Sequence, residues 1–197
     1  MGEGARLDIP GRLVESARRG DRIAMERLLE RLAEPFYRLA ASRLGSGPDA
    51  EDAAQEALLK VARGLESFRG QAAFSTWSYT VAWRAIVDRA RGRKREARDG
   101  RERGAGSTED EDPLAHLPDP APGPVEMAAG GESRAALRAA LERLPEEQRD
   151  VVVLRLWEGL SFAVIAEVLA CPVPTAQSRM ARALERLRGL LDGQGTG

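Results

Sequence analysis

Cysteine and histidine are nearly absent from this chain of 197 residues, which has one of each. A single cysteine closes no internal disulfide, which suits a reducing compartment. One cysteine and one histidine also supply too few soft ligands for an ordinary zinc site. A Ser-His-Asp arrangement would have to use His116, in the stretch least able to fold. No apolar run approaches the ~18 residues of a membrane span. The opening MGEGARLDIPGRLVES lacks the basic-then-apolar pattern of an export signal. The expectation is a cytoplasmic protein with no membrane insertion, no metal, no cofactor and no enzymatic activity. Lysine is scarce too: only Lys60 and Lys94 stand among 30 basic residues, so arginine carries the positive charge. Alternation of apolar and polar residues at a period of two is missing at any useful length. The fold class that remains is all-α.

What is present is unevenly placed. Hydrophobic residues make up 43% of the chain, enough for one or two small cores. The net charge of -1 hides opposite local balances. From Arg84 to Arg103 there are nine basic residues against four acids; from Gly104 to Glu126 there are six acids and no Lys or Arg. That second stretch, rich in Gly, Pro and Ser with few large apolar residues, cannot bury enough surface to order itself. It divides the chain into a helical domain at 8–97, a flexible acidic linker at 98–130 and a second helical domain at 131–190.

In the first domain, Leu13, Val14 and Ala17 form a short stripe ended by Gly20, and Asp21 can cap the next helix. Met25, Leu28, Leu29, Leu32, Phe36, Leu39 and Ala40 continue at helical spacing, and Pro35 is expected to kink or interrupt them. Gly45 to Pro48 break the chain, with Asp49 as the expected cap of a helix reaching about Glu66. That helix is two-faced: Ala54, Leu58, Val61 and Leu65 lie opposite Asp49, Asp52, Gln55, Glu56, Lys60 and Arg63. A solvated face, an acid/base pair and a docking face for a basic partner all fit this pattern.

The next stretch holds Phe68, Phe74, Trp77, Tyr79 and Trp83, five of the chain's nine aromatics, and then Arg84, Arg89, Arg91, Arg93, Lys94 and Arg95. Unpaired bases need flat faces to stack on, and their phosphates need cations along the path. In the second domain, Leu137, Leu141 and Leu144 form a stripe ended by Pro145, and Val151, Val152, Leu154 and Leu156 form another ended by Gly159. Ser161 caps a short helix through Leu169, Ala170 to Val173 make a turn, and a last helix starts near Pro174. That is a helix-turn-helix pattern. On the last helix Ala176, Met180, Ala183, Leu184 and Leu187 share one face, with Thr175, Arg179, Arg182 and Arg186 beside it. Cys171, in the turn, reads as a small packing residue.

Taken together, these blocks resemble bacterial sigma factors of the extracytoplasmic-function (ECF) group of the sigma-70 family. Region 2 of that family is similar to DAEDAAQEALLKVARGLESFRGQAAFSTWSYTVAWRAIVDRAR, and region 4 to LERLPEEQRDVVVLRLWEGLSFAVIAEVLACPVPTAQSRMARALERLR. The resemblance implies a subunit that binds core RNA polymerase, directs it to promoters and helps melt the −10 region. It implies that Asp49, Glu51, Asp52, Gln55 and Glu56 dock on the β′ clamp, with the β flap meeting the second domain around Leu154 to Leu160. It implies single-stranded −10 contacts by Phe68, Arg69, Gln71, Phe74, Trp77, Trp83, Arg84, Asp88, Arg91, Arg93, Lys94 and Arg95. Duplex −35 contacts fall to Thr175, Gln177, Ser178, Arg179, Arg182 and Arg186. An anti-sigma factor is a further partner of such proteins. The chain departs from the family at Ala170 and Pro174, where glycines are usual, and at Gln177, where lysine is frequent.

Two other readings stand beside this one. A polymerase-independent helix-turn-helix regulator would use the second domain but leave the aromatic-arginine helix without a purpose. A metal-dependent hydrolase would use Asp49, Glu51 and Asp52, which have no further ligand near in sequence.

Overall fold

The computed structural model describes residues 9–102 and 131–192, and every regular element among them is helical. The all-α class expected from the missing alternation holds. The two stretches belong to two separate compact units.

The first unit contains α1 (Gly11–Arg18), α2 (Arg22–Leu44), α3 (Pro48–Gly64), a 3₁₀ turn (Leu65–Ser67) and α4 (Phe74–Glu102). Asp21 caps α2: its carboxylate accepts from the Ala24 amide at 3.1 Å and from the Ser16 hydroxyl at 3.0 Å. Pro35 does not end α2, which runs on through it. A proline inside a helix costs about 3 kcal/mol. Leu28 and Leu32 before it and Phe36, Leu39 and Ala40 after it are all fully buried in the same core. Burial on both sides outweighs the lost amide donor.

Asp49 is not the cap of α3. Gly47 takes that position, Pro48 opens the helix, and Asp49 lies in its first turn. Ala54, Val61 and Leu65 of the expected apolar face are buried while Leu58 is only half-buried, and the buried face widens to Ala50, Ala53 and Ala57. Against it α4 sets Tyr79, Ala82 and Ile86, and the Tyr79 ring meets Phe36 edge-on at 6.1 Å. α4 runs to Glu102, past the expected boundary at 97. The remainder of the acidic linker, His116 included, lies outside the described residues.

The second unit contains α5 (Gly131–Glu142), α6 (Glu146–Val152), a π-helical turn (Val153–Trp157), α7 (Phe162–Val168) and α8 (Val173–Asp192). Ser161 caps α7, accepting from the Val164 amide at 3.3 Å. Leu144, Val151, Leu154, Ile165, Val168, Ala176, Met180, Ala183 and Leu187 form the core; Leu184, expected among them, is exposed.

The α7–α8 turn closes by paired hydrogen bonds, from the Cys171 amide to the Ala166 carbonyl at 3.0 Å and from Ala170 to Glu167 at 3.3 Å. This end motif needs a left-handed residue at its pivot, usually glycine. Here the pivot is Ala170, at φ 50°, the one non-glycine residue with positive φ among those described. A Cβ in that region costs roughly 1–2 kcal/mol, partly offset by the larger unfolded-state entropy of glycine. Ala170→Gly is therefore expected to stabilise the second unit by about 0.5–1 kcal/mol in chemical denaturation. A destabilised variant would contradict the strained turn.

The α2 cap makes a second prediction. Hydrogen bonds from the Ala24 amide, then from the Ser16 hydroxyl, hold the Asp21 carboxyl below its ordinary pKa. The associated stability is present above the ordinary carboxylate pKa and is lost as the pH falls through the lowered folded value. Asp21→Asn keeps a capping oxygen that does not titrate. It should flatten this part of the acid unfolding curve followed by circular dichroism, and an unchanged curve would refute the assignment.

Candidate nucleic-acid interface

The basic run of α4 divides by helical face. At about 100° per residue, Trp77, Arg84, Asp88, Arg91 and Arg95 fall in one line roughly 27 Å long. The four charged residues of that line are exposed, and Trp77 is half-buried at its start. Lys94 lies on the same helix. Trp83 is on the other side, 6% exposed, with the Arg43 guanidinium stacked 4.9 Å from its ring centre. It packs the core and presents no face to a base.

Arg93 is exposed, but its guanidinium is engaged by its own unit. It donates to the Leu44 carbonyl at 3.0 Å and pairs with Asp49 at 3.1 Å, tying the end of α2 to the start of α3. Arg89, one helical turn earlier, bridges Asp52 at 3.1 Å and Asp49 at 3.7 Å. The sequence signal for this was available: Arg89 and Arg93 are spaced i,i+4, and Asp49 and Asp52 i,i+3, so each pair lines one helix face.

The line on α4 begins at an aromatic cluster. Phe68 and Trp77 have ring centres 5.0 Å apart, Phe68 and Phe74 5.7 Å, and Phe74 and Trp77 5.7 Å. The three rings pack on one another and are each half-buried. They form a pedestal under the connecting loop, on which Arg69 and Gln71 are exposed. Gly70 turns that loop at φ 71°, a conformation that favours glycine. Gly64 makes room for the pedestal, since a Cβ there would stand 3.0 Å from Trp77 Cζ2.

On α3, Glu51, Asp52 and Gln55 are exposed and Asp49 and Glu56 half-buried, with Glu56 paired to Lys60 at 2.9 Å. Leu59, missed in the sequence, is 53% exposed and sits between Gln55, Glu56 and Arg63 on the same stripe. The expected polar face thus carries an apolar centre. Among the described residues no group of three His, Cys, Asp or Glu side chains could hold a metal ion. Asp49 and Asp52 are engaged by arginines instead.

In the second unit, Thr175, Arg179, Arg182 and Arg186 line one side of α8, with Ser178 at its edge. Arg182 and Arg186 are exposed, whereas Arg179 pairs with Glu147 of α6 at 2.6 Å. Gln177 is exposed on the opposite side of the helix, with Leu184. It lies apart from the stripe, although the resemblance places it with those residues among the −35 contacts.

Two family models match the chain, Sigma-70 region 2 over residues 28–96 and Sigma-70, region 4 over residues 134–187. The RNA polymerase sigma-H factor of Pseudomonas aeruginosa is 34% identical over 177 residues, covering 89% of this chain and 90% of that one. The ECF RNA polymerase sigma factor SigM of Mycobacterium tuberculosis is 36% identical over 178 residues, covering 90% of this chain and 82% of the relative. The chain belongs to the ECF group of the sigma-70 family. Membership sets aside the polymerase-independent regulator, whose account left α4 unexplained. The ECF RNA polymerase sigma-E factor of Escherichia coli is similar to the same extent, 34% over 177 residues, with 89% and 90% of the two chains covered. Among solved structures, the fold is similar to the sigma factor RpoE of Bartonella quintana, solved with the anti-sigma factor NepR. That match has a TM-score of 0.64 at 23% identity, over 85% of this chain and 96% of that one. CnrH, solved with the cytosolic domain of CnrY, is equally similar in fold, with a TM-score of 0.64 at 23% identity, over 92% and 96% of the two chains.

The placement of Trp83 can be measured directly. Loss of a buried tryptophan costs about 3–5 kcal/mol. Trp83→Ala should lower the unfolding free energy of the first unit by that much, and Trp77→Ala by clearly less. A Trp83→Ala chain as stable as the parent would put this ring outside the core.

Proposed function

We propose that this ECF sigma factor engages promoters by two separate arginine faces and the polymerase by the stripe on α3. The observation that carries the proposal is the single line from the Phe68–Phe74–Trp77 cluster along Arg84, Arg91 and Arg95. A strand whose bases are held at the cluster would have its phosphates led along that line. Asp88 lies within it and disfavours phosphate at its own position. Arg69 and Gln71, exposed on the loop between Phe68 and Phe74, would bond the edge of a base captured there. Trp83 and Arg93 leave the DNA-facing set, because one is buried and the other is bound to Leu44 and Asp49.

The α8 stripe of Thr175, Ser178, Arg179, Arg182 and Arg186 enters the major groove of the −35 duplex. Gln177 stays outside that contact. Glu51, Asp52, Gln55 and Glu56, with Leu59 at their centre, dock on the β′ clamp of core polymerase, and Asp49 contributes from the edge where Arg89 and Arg93 hold it. Leu154 and Leu160 themselves are buried, so within that stretch the exposed Arg155 and the half-buried Leu156 and Trp157 are assigned to the β flap. The polymerase carries the chemistry of RNA synthesis, and this chain works beside it in the cytoplasm. Among the described residues no helix is long and apolar enough to cross a membrane. An anti-sigma factor is proposed as the regulatory partner on family grounds.

Opening of the −10 region, followed by a fluorescent base analogue in holoenzyme–promoter complexes, tests the proposal. Stacking contributes about 1–3 kcal/mol per base. Trp77→Ala should reduce opening ~5- to 100-fold while leaving −35 duplex affinity intact. Arg91→Ala should weaken binding to all sequences alike and lower the salt slope by about one. Normal opening by both variants would remove α4 from the promoter.

A further inference from the structure

Arg179 is the one arginine of the α8 stripe held by an acid. Its Nη2 lies 2.6 Å from Glu147 Oε2, and its side chain is 22% exposed. Arg182 and Arg186, on the same stripe, are exposed, and among the described residues neither has a carboxylate within salt-bridge reach. The three cations on one DNA-facing side are therefore not equivalent.

We propose that Glu147 is a positioning residue for −35 recognition, orienting Arg179 to read a guanine while Arg182 and Arg186 serve the backbone. The inference rests on the reading of α8 as the −35 helix and adds to it a division of labour. An arginine reads guanine through two parallel hydrogen bonds to O6 and N7, which demands a fixed guanidinium plane. The guanidinium carries five N–H donors. Glu147 engages one end of it and leaves enough donors for that bidentate contact. A free arginine meets a phosphate in many orientations and gains little from being held.

The pair has little reason to exist for stability. Glu147 is 70% exposed, and pairs with so open a partner contribute little to folding. A carboxylate at the edge of the DNA face also repels phosphate, so it lowers affinity for every sequence equally. Holding Arg179 and discouraging indiscriminate binding both act on specificity.

The test uses holoenzyme assembled from core polymerase and the full chain, selecting from promoters with a randomised −35 element. The parent is compared with Glu147→Gln, Glu147→Asp, Arg179→Ala and Arg182→Ala. In the parent, one position should prefer guanine, and Arg179→Ala should abolish that preference. Glu147→Gln should cut it about 3- to 10-fold, short of the full loss of a bidentate contact, while raising affinity for non-matching duplex. Glu147→Asp keeps the charge but shortens the reach, so it should cut the preference without that rise. Arg182→Ala should leave the preference intact and lower the salt slope by about one. An unchanged preference in both Glu147 variants would overturn the proposal. So would a sharper preference in Glu147→Gln, which would make Glu147 a competitor for Arg179. If Arg179→Ala also selects the parent's sequence, the −35 reading of this arginine fails, a result distinct from failure of the Glu147 variants alone.

Discussion

The first unit depends on a seam of alanines. α3 buries Ala50, Ala53, Ala54 and Ala57, none more than 5% exposed, before larger side chains take over at Val61 and Leu65. Small side chains at a helix interface let the backbones approach closely. The consequence is visible outside the core. α4 lies near enough to α3 for Arg89 and Arg93 to reach Asp49 and Asp52 across the gap. These ion pairs join the helix assigned to the polymerase to the helix assigned to DNA.

Core packing also sorts the arginines. A run of cations on a long helix has no direction of its own; the core decides which of them look outward. Once Tyr79, Ala82 and Ile86 are buried, Arg84, Arg91 and Arg95 must project away from the unit, and Arg89 and Arg93 are carried round toward α3. The second unit repeats the logic with different means. Burial of Ala176, Met180, Ala183 and Leu187 turns the Arg179–Arg186 side of α8 outward, and Glu147 then treats one of those arginines differently from the rest.

Much of this was legible from residue order alone. Helical periodicity, caps at Asp21 and Ser161 and the acidic stretch gave the elements and the interruption between two helical blocks. The errors have physical causes. Of the two outcomes expected at Pro35, interruption does not occur, because a local penalty is set against burial on both sides of it. The buried face of α3 was drawn too narrowly, with Leu58 taken as core and Ala50, Ala53 and Ala57 left out, because small alanines carry a weak hydrophobic signal. Trp83 and Arg93 came into the DNA-facing set with the family resemblance, which carries positions over without showing that one packs in the core and the other bonds Leu44 and Asp49. Gln177 entered the −35 set through the family resemblance, and its position on α8 points away from the arginine stripe. Glu147 gave no local signal at all, since its partner is more than thirty residues away.

Promoter-directed transcription is the claim on which the assignments of both units rest. The most direct measurement is run-off transcription from genomic fragments by core polymerase, with and without this chain. Discrete start sites that appear only when the chain is present, with the chain co-purifying with core, are the predicted result. No chain-dependent start on any fragment, together with no association with core polymerase, would contradict the account.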